Sequence, residues 1–227
     1  MRALTPKLLT EFAGTFVFLT VIGLSAAAGT LAPLAIGLAL MAMVYMGGHV
    51  SGAHYNPAVS FALFARRVID AQTMLAYWGV QVAAGILAFI LAHTISGHAA
   101  GVHASAGWGA ALTAEVVFTT ALVLVVLNVA ATRETAGNSF YGLAIGVTVA
   151  TGAFVAGPIS GGVFNPAVGI GGILSDAIFG AGSWSSLWLY LAGPLLGSAL
   201  GSAIHYVQTP RSQIVPPEAS EATRRLP

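Results

Sequence analysis

The sequence predicts an all-α membrane protein: six transmembrane helices plus two re-entrant half-helices, arranged as two inverted repeats. Three observations predict it. The 227 residues are 57% hydrophobic and 7% charged, where a soluble domain carries about 25% charged residues. The tripeptide Asn-Pro-Ala occurs twice, at 56–58 and 165–167, 109 positions apart and inside matching frames. All eight Lys and Arg residues can be placed on one side of a bilayer.

Six apolar stretches are long enough to cross a hydrocarbon core of about 30 Å at 1.5 Å per residue. They are 8–28, 30–48, 71–95, 108–131, 138–155 and 184–207. The first could pass for a signal peptide, with Arg2 and Lys7, an apolar run and then Ala26-Ala27-Ala28-Gly29. That reading is rejected, because Glu11 lies inside the run and has a counterpart in Glu115. Residues 208–227, rich in Pro, Ser, Glu and Arg, read as a disordered tail. The net charge of +1 suggests no nucleic-acid partner, and the lack of cysteine excludes disulfides and thiolate metal sites.

Arg2 and Lys7 precede the first span, Arg66 and Arg67 lie between the second and third, and Arg133 lies between the fourth and fifth. Arg211, Arg224 and Arg225 follow the sixth, and the other three loops hold no basic residue. The positive-inside rule then places both termini in the cytoplasm.

The halves, about 7–95 and 108–207, align without gaps around the motifs. Ala35-Ile36-Gly37 repeats as Ala144-Ile145-Gly146. Ser51-Gly52-Ala53-His54-Tyr55 before the first motif stands against Ser160-Gly161-Gly162-Val163-Phe164 before the second. Tyr77 and Gln81 correspond to Tyr190 and Pro194. Three spans per half force the second half to enter the membrane inverted. The apolar segments 57–65 and 166–174 are too short to span; each covers about 15 Å. Two such half-helices meeting N-terminus to N-terminus cover the core between them.

Asn is a strong N-cap and Pro is favoured at the first helical position, so Asn56-Pro57-Ala58 and Asn165-Pro166-Ala167 each start a helix sharply. If the Asn oxygen caps its own helix, the amide NH2 is left as a donor aimed into any adjacent lumen. Two helix N-termini add about half a positive charge each, which disfavours cations there. The plainer reading, two Asn residues merely capping packed helices, would suit a single copy; a symmetric pair in segments too short to span argues against it.

With these segments in view, the chain resembles the aquaporin superfamily, the major intrinsic proteins. The resemblance covers about residues 7–207. It rests on Glu11-Phe12-Ala13-Gly14-Thr15, on His49 through Val59, and on Gly157-Pro158-Ile159-Ser160-Gly161 through Ala167. It implies one pore per protomer, a homotetramer in the inner (plasma) membrane, and passive conduction of small uncharged solutes without a cofactor. Glu11 and Glu115 could form a proton relay; the resemblance implies instead that each braces its half's re-entrant loop, and gives His54 a similar bracing role. His98 and His103 could hold a metal, but a solvated loop is the preferred reading.

By spacing from the motifs, the resemblance puts the pore's narrowest ring at Ile36, Ala153, Gly162 and Val168. Water channels of the family carry a bulky aromatic, a His and an Arg in this set. Here Val168 stands where most relatives have Arg, and Gly169 where glycerol facilitators have Asp. The ring resembles that of the bacterial branch tied to arsenic handling. Arg would supply five donors and a fixed charge; the ring here is wide and apolar, suited to neutral arsenite, methylated arsenicals and glycerol. The competing readings are an ordinary water or glycerol channel, a secondary transporter, and a scaffold with a vestigial pore. An enzyme is the weakest reading, since no nucleophile–base set or metal cluster is visible.

Overall fold

The computed structural model describes residues 4–180 and 182–214. Its helices are α1 (Leu4–Leu24), α2 (Ala32–Gly47), α3 (Pro57–Ala65), α4 (Ala71–Ser96), α5 (Trp108–Ala130), α6 (Tyr141–Ser160), α7 (Pro166–Phe179) and α8 (Leu187–Gln208). Five apolar helical stretches are long enough to cross a membrane, and the first, Leu4–Gly47, runs to 44 residues. That stretch is two helices: the 3-10 segment Ser25–Leu31 joins α1 to α2, and Gly29 breaks it with φ 54°. The long helices α1, α2, α4, α5, α6 and α8 thus number six, and α3 and α7 are the short pair.

The packing repeats with the sequence. α1 packs on α4 as α5 packs on α8, and α2 crosses α6 between the halves. At that crossing a Cβ on Gly37 would stand 2.5 Å from the carbonyl oxygen of Gly146, and one on Gly146 would stand 2.5 Å from that of Gly37. The two glycines are 109 positions apart, so the repeat offset marks the crossing between the halves. Close backbone approach at small residues is how helices associate where lipid removes the hydrophobic drive.

Several predicted boundaries need correction. Helix α1 starts earlier and ends earlier than 8–28, with Pro6 accommodated in its first turn, where no intrahelical N–H is required. The fifth span runs to Ser160 rather than Val155, passing through Pro158. Past that point the carbonyl of Ile159 accepts from Ser105 N and Ala106 N of the α4–α5 connector, both at 3.1 Å. Helix α7 runs to Phe179, beyond the predicted 166–174. Its extra turns are held from outside the helix: Phe179 stacks on His93 with centroids 4.0 Å apart, and Asp176 faces His103 Nε2 at 3.3 Å. His103 is therefore paired rather than only solvated. The tail is ordered at its start. Arg211–Gln213 form a 3-10 turn and Ile214 bridges to Thr132; residues 215–227 lie outside the described residues.

At the C-terminal end of α3, a polar latch ties α3 to α8. Arg66 Nε donates to His205 Nδ1 at 3.0 Å and Arg66 Nη2 to the carbonyl of Thr209 at 2.7 Å. His205 Nε2 lies 3.1 Å from Thr132 Oγ1. Beside it, Asp70 caps α4 by accepting from Thr73 N at 2.7 Å, and that bond holds its carboxyl below the usual range.

Candidate pore and constriction

Both half-helices begin as cap chemistry dictates. Asn56 Oδ1 accepts from Ala58 N at 2.8 Å, and Asn165 Oδ1 accepts from Ala167 N at 2.9 Å. With the oxygens committed, the amide nitrogens point away from their own helices and reach across the repeat. Asn56 Nδ2 donates to the carbonyl of Phe164 at 2.8 Å, and Asn165 Nδ2 donates to the carbonyl of Tyr55 at 2.9 Å. The two N-termini therefore abut, each motif holding the other's loop. Each nitrogen carries two N–H groups, so one of each pair serves this cross-brace. Both side chains border the larger lumen, which refines the expectation of two uncommitted donors. Asn165→Asp is expected to set a carboxylate oxygen against the Tyr55 carbonyl. The lost charge-free donor should lower stability by about 2–3 kcal/mol, read as thermal unfolding in detergent beside wild type.

The loops leading to the motifs hold left-handed backbone at equivalent positions. Gly52 (φ 93°), Ala53 (52°) and Tyr55 (48°) match Gly161 (90°), Gly162 (63°) and Phe164 (49°). For Ala53, Tyr55 and Phe164 this conformation costs about 1–2 kcal/mol each, so something must over-determine it. Buried carboxylates do. Glu11 Oε1 accepts from Ser51 Oγ (2.6 Å) and His54 N (2.9 Å), and its Oε2 accepts from Tyr55 N (2.8 Å) and Gln81 Nε2 (2.9 Å). Glu115 Oε1 accepts from Ser160 Oγ (2.7 Å) and Val163 N (3.0 Å), and its Oε2 accepts from Phe164 N (2.7 Å). Both carboxylates are fully buried and border neither lumen. His54 Nδ1 lies 3.0 Å from Ser60 Oγ, and its ring meets Tyr77 edge-on.

Sequence reasoning quoted several supporting residues without a role. Tyr77 OH donates to the carbonyl of Ser51 and Tyr190 OH to that of Ser160, both at 2.8 Å. The two tyrosines and the two serines had been paired by the repeat, which was the available signal. The brace is not symmetric. His54, Ser60 and Gln81 in the first half stand against Val163, Gly169 and Pro194 in the second, so the first brace has three more polar side chains than the second. The Arg66–His205 latch was missed, since nothing local links residues 139 apart.

Two adjoining cavities occupy the axis between the halves. The larger, about 820 Å3, opens on the face bearing Lys7, Asp70 and Thr132 and reaches Asn56 and Asn165. The smaller, about 200 Å3, lies on the opposite side. Ile36 from α2, Ala153 from α6, Gly162 from the second loop and Val168 from α7 all border the smaller cavity. Val102 of the α4–α5 connector borders it as well, against Gly172, where a Cβ would meet its methyls at 3.0 Å. Among the described residues, no ionisable side chain borders this cavity. Among the described residues, no group of three His, Cys, Asp or Glu is placed to hold a metal.

This geometry has known counterparts. The sequence pattern of the major intrinsic protein family matches residues 2–205. A glycerol uptake facilitator protein-like 6 of Lactiplantibacillus plantarum is 38% identical over 210 residues, 86% of this chain and 94% of the relative. A probable aquaporin NIP4-2 of Arabidopsis thaliana is 38% identical over 175 residues, 74% of this chain and 59% of the relative. An aquaporin NIP1-1 of Zea mays is 34% identical over 171 residues, and the matches span about six-tenths of these plant relatives' length. Among solved structures, the aquaglyceroporin from Plasmodium falciparum superposes with a TM-score of 0.80 at 21% identity, covering 89% of this chain and 96% of that one. The fold is thus the aquaporin fold, and members of the matched family are channels, not enzymes. By the match over 2–205 and the paired motifs at 56–58 and 165–167, this chain belongs to the major intrinsic protein family.

Proposed function

We propose that this chain is a passive channel for small uncharged solutes, with a wide ring lacking Arg that suits metalloid hydroxides, methylated arsenicals and glycerol. The observation that supports it is the smaller cavity: Ile36, Ala153, Gly162 and Val168 border it, and none brings a charge or a side-chain hydrogen bond. An apolar wall leaves a bare water or ion without replacement partners for its hydration shell, while a solute carrying methyl groups loses less. The midplane pair Asn56 and Asn165 offers the donors for a passing hydroxyl. In this reading the two repeats form one channel unit, which assembles as a homotetramer in the inner membrane with both termini in the cytoplasm. The name of the Lactiplantibacillus relative supports glycerol as one solute.

The test is stopped-flow swelling of proteoliposomes in glycerol, arsenite or methylarsenite. Wild type is expected to admit all three above empty vesicles. Val168→Arg would thrust a guanidinium into a cavity of about 200 Å3 and is expected to slow methylarsenite by about tenfold and water by less than about threefold. Equal loss for both solutes would remove the ring from its assigned role. Saturation together with dependence on an ion gradient would support a transporter instead.

A further inference from the structure

With a ring of Ile, Ala, Gly and Val, the outer constriction has little side-chain bulk to discriminate by size. Farther in, the two cavities meet. The larger and smaller cavities have three bordering residues in common, Phe18, Val149 and Val163, so these stand at the junction of the two cavities, the neck between them. All three are buried, at 4%, 8% and 6% exposure, and apolar. Val163 stands between Gly162 of the ring and Asn165, and Asn56 and Asn165 border the larger cavity alone, so the neck lies between the ring and the Asn pair.

Phe18 is the largest of the three and is firmly placed. It lies one helical turn beyond Gly14 on α1, where the Tyr55 ring packs so closely that a Cβ would meet it at 2.1 Å. Residues at this spacing share a helix face. Ile22, one turn farther, borders only the smaller cavity. Of α1, Phe18 borders both cavities and Ile22 the smaller one, so the aromatic of this pair falls at the neck. Val163 is held by its own N–H on Glu115 at 3.0 Å, and Val149 sits on α6 one turn before Ala153. The neck cannot widen by a loop movement without breaking the carboxylate brace.

Resting on the channel reading above, we propose that the size limit of this channel is set at the Phe18–Val149–Val163 neck, with Phe18 the specificity-determining side chain and the outer ring secondary to it. A solute there slides an apolar flank along the Phe18 ring while its hydroxyls face Asn56 and Asn165. Polyols with hydroxyls along one edge and C–H along the other fit such a passage, and lengthening the carbon chain costs little until branching or width meets Phe18.

The experiment measures proteoliposome permeability to glycerol, erythritol and xylitol, and to the wider ring polyol inositol, for wild type, Phe18→Ala, Phe18→Leu and Ile36→Ala. Detergent size-exclusion profiles confirm which variants fold. Phe18→Ala is expected to raise the inositol-to-glycerol ratio by about tenfold, Phe18→Leu by an intermediate factor, and Ile36→Ala by less than about twofold. Two results would overturn the proposal: folded Phe18→Ala and Phe18→Leu keeping the wild-type ratio, or Ile36→Ala raising it as much as Phe18→Ala. Wild-type vesicles that admit no glycerol would overturn the channel reading itself, a result separate from an unchanged size ratio in a conducting protein.

Discussion

Glu11→Ala is expected to leave little folded protein in the membrane, and Glu11→Gln and Glu115→Gln each to be destabilised, but less than Glu11→Ala. The reason is the count of donors at each oxygen. Glu11 receives two on each, from Ser51 and His54 on one and from Tyr55 and Gln81 on the other. Glutamine's NH2 can meet the Ser51 hydroxyl, or Gln81 turned to present its oxygen, as an acceptor, but whichever oxygen it replaces, one backbone N–H, of His54 or of Tyr55, then faces a donor. Glu115 receives two on Oε1 but one on Oε2. Glutamine there can keep its oxygen on Ser160 and Val163 and bring its NH2 against Phe164 N alone. Each buried donor left without a partner costs about 1–3 kcal/mol, and the left-handed Tyr55 or Phe164 then loses what holds it. The loss on Glu11→Ala, which leaves all four of its donors without the carboxylate, is on the order of 4 kcal/mol or more. Thermal size-exclusion of the four Gln and Ala variants gives the order directly. A proton relay predicts a different pattern, in which both Gln variants fold like wild type and lose transport equally. That pattern would contradict the bracing role.

The features legible in the sequence are those whose physics is local or repeated. An Asn-Pro pair starts a helix whatever surrounds it, so α3 was legible to the residue at both ends. Span number followed from hydropathy, and the pairing of Tyr77 with Tyr190 followed from the repeat before any role was visible. The failures lie where a distant contact decides. Nothing between Leu174 and Phe179 says that the helix continues; His93 and His103, far back in the chain, hold those turns. The fifth span was read as ending at Val155, yet α6 passes on through Pro158 to deliver the Ile159 carbonyl to the connector. The tail looked disordered by composition, but Thr132 and Arg66 order its first residues. The cross-brace of Asn56 and Asn165 needed both loops in view at once, because each amide satisfies a carbonyl that belongs to the other half. The neck at Phe18 was invisible for a similar reason, since a lone aromatic in an apolar span carries no mark of which way it faces.

Gly37→Ala is expected to weaken the fold sharply, while Gly79→Ala on α4 is neutral or stabilising. The two substitutions add the same methyl to a helix interior, where alanine is favoured over glycine by about 1 kcal/mol. At Gly79 nothing lies within 4 Å of the new carbon, so that gain stands. At Gly37 the new carbon meets the Gly146 carbonyl oxygen at 2.5 Å and the Ala150 Cβ at 2.6 Å. The oxygen is backbone and cannot rotate aside, so α2 and α6 must separate along their crossing. Overpacking of this kind costs about 1–3 kcal/mol or more, and lipid offers no compensating drive to push the helices back together. The consequence reaches the constriction. Ile36 is the neighbour of Gly37 on α2, and Ala153 lies on α6 one turn beyond Val149. Val149 of the neck also lies on α6, beside the Ala150 that the new methyl meets, so moving these helices apart should loosen the neck as well as the ring as it weakens the fold. Folded Gly37→Ala protein should show a lower unfolding temperature and, in whatever fraction survives reconstitution, a faster leak of glycerol per molecule. If it matched Gly79→Ala in stability, the two halves could not be locked by this crossing, and the carboxylate braces and the Asn pair would have to hold them together alone.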